Sequence, residues 1–112
     1  MSTVDSFVQG TVFYGGSLAE LGNLLAEHGL HATVGPWALR LAEPASRFEI
    51  AYVGNVSPDA PFEVSVDGYG ISLEVISEWC ERVARCLRDR GIRFEMTHFT
   101  ADQEEIRDYE EA

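Results

Sequence analysis

Residues 73–90 constrain the fold more than any other stretch of the chain. Val75, Ile76, Trp79, Val83, Cys86 and Leu87 fall within about 120° of arc at 100° per residue. Glu74, Glu78, Glu81, Arg82, Arg85, Arg88 and Asp89 take the remaining circumference. A helix with a single apolar stripe must lay that stripe on another apolar surface. Ser72 is placed to cap this helix and Gly91 to stop it. A second helix of the same kind opens at Ser17, with Glu20 three residues on at the capping-box spacing. Its stripe is Leu18, Leu21, Leu24, Leu25 and His28, and Gly29 followed by Leu30 supplies a left-handed end with an apolar contact.

The surfaces that receive these helices are strands. In residues 7–14, Phe7, Gln9, Thr11 and Phe13 share one side and Val8, Gly10, Val12 and Tyr14 the other. Apolar residues stand on both, so this strand should be central. Residues 31–42 read as one extended stretch interrupted at Gly35-Pro36. A turn at 43–46 leads to a strand at 48–53 and then to an irregular segment, 54–61. Residues 62–67 alternate Phe62, Val64 and Val66 with Glu63, Ser65 and Asp67, so one side of that strand should be wet. Residues 92–99 form the last strand, with Ile92, Phe94, Met96 and His98 on one side. The expected fold is α+β with the order β-α-β-β-β-α-β. It is a ferredoxin-like variant with both helices on one face of a mainly antiparallel sheet. Residues 1–100 would form the single domain and 101–112 an acidic C-terminal tail. In that tail Ile106 and Tyr109, at i and i+3, either dock one helical turn or leave a frayed end.

Nineteen acids stand against eight bases, all arginine, for a net charge of −11. Such a chain repels nucleic acid and anionic lipid, so neither is an expected partner, and it attracts basic protein. The same charge also serves plain solubility. The start of the chain has no basic segment followed by an apolar one, and no run approaches 18 apolar residues, so neither a signal peptide nor a membrane span is expected. Cys80 and Cys86 lie about 9 Å apart along one helix, too far to pair. Two unpaired thiols point to a reducing, cytoplasmic setting.

Sites for chemistry are sparse. Gly15-Gly16-Ser17, between a strand and a helix, has backbone N–H groups that could hold an anion, or it is simply a tight turn into a capped helix. His28 and His31 have a metal-like spacing, but Gly29 puts them on different elements. Cys86 is packed among apolar residues, and Cys80, at the margin of the stripe, sits beside Glu81, which disfavours a thiolate. No catalytic residue, metal or cofactor is expected. Glu49, Glu63, Asp67 and Glu95 look like solvent-side acids of strands. Arg82, Arg85 and Arg88 suit the C-terminal end of their helix and its i,i+4 acids.

Aromatic residues among acids are more suggestive, since rigid rings with a charged rim are what a protein-binding surface offers. The leading reading is a small acidic module that binds a basic protein and acts as its inhibitor, as an immunity protein does to a bacterial toxin or nuclease. Asp59, Glu63, Asp67, Tyr69, Asp102, Glu104, Glu105 and Tyr109 are the contact candidates. A second reading is an enzyme or small-ligand domain with a pocket between helices and sheet, lined by Tyr14, His28, Tyr52 and His98. A third is a homodimer formed through a strand edge or the uncovered side of the sheet.

Overall fold

The computed structural model describes residues 5–42, 47–52 and 62–110. The elements are β1 (Ser6–Phe13), α1 (Leu18–Glu27), β2 (Ala32–Val34), β3 (Ala38–Leu41), β4 (Phe48–Tyr52), β5 (Phe62–Asp67), α2 (Leu73–Asp89), β6 (Arg93–Thr100) and β7 (Glu105–Glu110). The strands form one antiparallel sheet in the order β2-β3-β4-β5-β1-β6-β7. The class is α+β, as expected, and β1 is interior. The sheet has seven strands where five were expected, so this order does not establish a ferredoxin-like arrangement.

Both helices begin and end as their residues dictate. The Ser17 hydroxyl accepts from the Glu20 N–H at 3.1 Å, and the Ser72 hydroxyl from the Val75 N–H at 3.2 Å. At the far ends Gly29 (φ +79) and Gly91 (φ +68) take the left-handed conformation. That turn lets the Leu30 N–H reach the Leu25 carbonyl and the Ile92 N–H reach the Leu87 carbonyl, each at 2.9 Å. Leu18, Leu21 and Leu25 of α1, and Ile76, Val83 and Leu87 of α2, are buried in one core with Val8, Val12, Leu39, Ile50, Val64 and Phe94. Each fully buried aliphatic side chain contributes about 1.5–3 kcal/mol. The inward residues of β1, β3, β4, β5 and β6 all lie on one side of the sheet. Both helices therefore cover the same face, and α1 packs so closely that a Cβ on Gly22 would lie 2.7 Å from Val34 Cγ2.

Two segments differ from expectation. Residues 31–42 are a hairpin, not one strand. The Gly35 N–H bonds the Ala38 carbonyl at 2.8 Å and the Ala42 N–H bonds His31 at 2.9 Å. Pro36 fixes φ and has no N–H to offer a ladder, so the chain reverses there. The segment read as a tail supplies the edge strand β7. Its turn has the Thr100 N–H on the Glu104 carbonyl (2.8 Å) and the Gln103 N–H on the Thr100 carbonyl (2.9 Å), with Gln103 at φ 68. This is the three-residue hairpin loop that ends on a left-handed residue. A bulge between His98 and Phe99 breaks the two-residue alternation of β7. Tyr109 therefore points into the core while Ile106, three residues earlier, lies 37% exposed. Neither a helical turn nor a frayed end is present at 105–110.

Candidate protein-interaction surface

The face of the sheet turned away from the helices follows from the register and from the alternation of side chains. At one end of the sheet Asp67, Phe7, Phe99 and Glu105 form a row across β5, β1, β6 and β7. The next row on these strands is Ser65, Gln9, Thr97 and Asp108, with Glu49 of β4 beside Ser65. The third is Glu63, Thr11, Glu95 and Glu110. A neutral centre is thus bordered by carboxylates on both sides.

Arg40 lies 3.7 Å from Glu49, and Arg47 lies 3.5 Å from Asp67. Among the described residues no arginine forms an ion pair with Glu63, Glu95, Glu105, Asp108 or Glu110. Glu95 and Glu110 stand directly opposite each other, a like-charge pairing that works against the sheet. The Asp108 carboxyl beside Glu105, by hydrogen bonding and by repulsion, raises the pKa of Glu105 above the ordinary glutamate value.

The rows end in an ordered rim. The Tyr69 N–H bonds Asp67 Oδ1 at 3.0 Å, and the Gly70 N–H bonds Asp5 Oδ1 at 3.1 Å. Arg47 Nη1 donates to the carbonyls of Asp67 (3.3 Å) and Tyr69 (3.4 Å). The Ala101 N–H bonds the Asp5 carbonyl at 2.9 Å, so the β5–α2 turn and the β6–β7 turn meet at one end of the sheet. Of the residues expected to make contact, Asp67, Tyr69, Asp102, Glu104 and Glu105 converge here, all exposed, with Tyr69 at 69%. Glu63 is exposed on the same face but four residues back along β5, about 13 Å away. Asp59 lies outside the described residues. Tyr109 does not belong: it is 1% exposed, packed in the core, with its hydroxyl donating to the Ser77 carbonyl at 3.4 Å. Glu95, Asp108, Glu110 and the stacked rings of Phe7 and Phe99 were missed as contact residues. The inward alternation of Phe94, Met96 and His98 was the signal that Glu95 and Phe99 point outward.

The pocket residues do not come together as a group. Tyr14 and Tyr52 both pack on Phe62, with ring centroids 6.4 and 6.0 Å from it. Tyr52 and Phe62 line a cavity of about 170 Å³ with Gly16, Ser17, Leu18 and Pro36. His98 is paired with Val8, whereas Phe62 is paired with Val12, so the two lie about 13 Å apart along the sheet. His28 was expected within the apolar stripe. It is exposed instead, with its ring Nδ1 3.2 Å from the Leu24 carbonyl, because the helix ends beneath it. At the Gly15-Gly16-Ser17 turn a Glu20 carboxyl oxygen lies 2.7 Å from where a Gly16 Cβ would be, and this negative charge opposes an anion there. The same carboxylate adds to burial in raising the Tyr14 pKa.

His98 is fully buried, with Nδ1 3.2 Å from Ser77 Oγ. A serine–histidine dyad needs a third group to orient the second ring nitrogen, and among the described residues Nε2 has no hydrogen-bond partner. Burial lowers the His98 pKa below the ordinary histidine value. The unfolded chain therefore takes up this proton more readily than the folded one. Stability from this group is complete above about pH 6.5 and is lost as pH falls toward the lowered folded value, by at most about 1.4 kcal/mol per pH unit. His98→Leu should flatten the stability profile below about pH 6.5, measured by urea unfolding; an unchanged slope would mean His98 is not the group responsible.

Cys80 is not marginal but fully buried, and burial followed by Glu81 pushes its thiol up to about 12. Burial and Asp89 push Cys86 up to about 11. Neither is a nucleophile near neutral pH. The arginines of α2 do not pair along the helix. Glu81 pairs instead with Arg107 of β7 at 3.4 Å, Arg82 lies over Trp79, and Arg88 holds the Glu110 carbonyl at 3.0 Å. Among the described residues no His, Cys, Asp and Glu cluster has metal-binding geometry, and no helix is long and apolar enough to cross a membrane. No protein-family model, curated protein or solved structure matches this chain.

Proposed function

We propose that the chain is a protein-binding module that docks the uncovered face of its sheet on a basic macromolecule and blocks it, in the manner of an inhibitor or immunity protein acting on a toxin or nuclease in the bacterial cytoplasm. The observation that carries this reading is the face itself. It is left bare by both helices, bordered by Glu63, Glu95, Glu105, Asp108 and Glu110, and centred on Phe7, Gln9, Thr11 and Thr97. A partly apolar centre with a charged rim is the anatomy of a protein interface, and surplus negative potential speeds encounter with a positive partner. The same charges disfavour the homodimer through this face, since a second copy would bring carboxylates onto carboxylates. In this reading the β5-α2-β6 crossover around β1 is a ferredoxin-like element, extended by the β2–β5 meander and by β7, and it serves to hold the binding face flat and open.

Titration against the protein encoded beside this one tests the reading. The affinity should fall at least tenfold as ionic strength rises from about 0.05 to 0.5 M. An affinity indifferent to salt would overturn the electrostatic account.

A further inference from the structure

Resting on that reading, we propose that the sheet face selects arginine over lysine in its basic partner, seating a guanidinium against the Phe7–Phe99 pair between Asp67 and Glu105. The two rings stack across the β1–β6 boundary with centroids 5.1 Å apart and planes 19° from parallel. The stack spans the two central strands of its row, and the register sets Asp67 beside Phe7 on one side and Glu105 beside Phe99 on the other. A planar cation entering beside either ring meets a π face and a carboxylate together. Guanidinium suits that slot, since it is flat, weakly hydrated and able to stack while its N–H groups bond a carboxylate. An ammonium ion keeps its water shell and cannot stack.

The chain shows this chemistry on the same face. One row beyond the third-row Thr11 and Glu95 pair, Arg93 of β6 lies over the Phe13 ring of β1, its guanidinium carbon 4.6 Å from the ring centroid. At the opposite end of the same two strands Phe99 replaces the arginine, and among the described residues no arginine covers the pair. Of the two slots, the one at Phe99 is the more open to an incoming cation. Asp67 already holds Arg47, whereas Glu105 faces only the like charge of Asp108. A guanidinium between Glu105 and Asp108 relieves their repulsion as well as its own loss of solvent.

The test uses the full chain with octa-arginine and octa-lysine peptides, which carry the same charge, followed by calorimetry at low salt. Octa-arginine should bind about three- to tenfold more tightly. The double variant Phe7→Leu/Phe99→Leu, shown to be folded by its thermal midpoint, should bring the two affinities together. Glu105→Gln/Asp108→Asn should weaken both peptides while keeping the preference for arginine. Equal affinity of the two peptides, or a preference that survives loss of both rings, overturns the arginine selection and leaves the acidic docking face standing. Failure of the intact protein to bind either peptide overturns both.

Discussion

Reversal of Glu63, Glu95, Asp108 and Glu110 to arginine should weaken binding of the basic partner about 100- to 1,000-fold, without unfolding the protein. Each position lies on the uncovered face and is exposed, so its contribution is a rim contribution of about 1 kcal/mol or less, and the four act in the same direction. The loss should appear mainly in the association rate at low salt, because the long-range field is what changes. Stability of the fourfold variant should hold within about 1 kcal/mol, since reversing both Glu95 and Glu110 exchanges one like-charge opposition across β6 and β7 for another, whereas reversing either one alone removes it. For that reason the single Glu110→Arg variant is the informative control: a modest gain in thermal midpoint together with weaker binding separates the two roles of the charge. If the fourfold variant bound as tightly as the original, with association rate unchanged, the face would not be the docking surface.

Tyr109→Ala should cost about 3–4 kcal/mol and lower the thermal midpoint on the order of 15 °C. The ring is among the largest fully buried side chains, packed beneath α2 and stacked by Arg107 at 5.0 Å. Its removal opens a cavity where β7 meets the helix, and the Tyr109 hydroxyl bond to Ser77 goes with it. Tyr109→Phe separates the two terms and should cost about 1 kcal/mol or less, since that bond is long at 3.4 Å. Urea unfolding of the three proteins decides the matter. A midpoint unmoved by Tyr109→Ala would mean that residues 105–110 are the detached acidic end that their composition suggests. Because β7 also carries Glu105, Asp108 and Glu110, its loss would remove one border of the binding face, so a destabilised β7 should weaken partner binding even with every carboxylate in place.

The chain's own chemistry determined the local elements. Caps at Ser17 and Ser72, left-handed ends at Gly29 and Gly91, the apolar stripes of both helices and the two-residue alternation at 62–67 are each set within a few residues, because helix and strand periodicities are local properties. From these the α+β class, the single covered face and the wet side of β5 follow directly. What tertiary structure alone decided is where the acids meet. Asp67, Glu105 and Phe7 are distant in sequence and lie in one row only because β1 inserts between β5 and β6, and β7 joins at the edge. Strand neighbours are chosen by long-range packing, which leaves no local mark. The same holds for Tyr109: the bulge at His98/Phe99 shifts the alternation of β7 by one residue, and that shift turned a residue read as a contact candidate into part of the core.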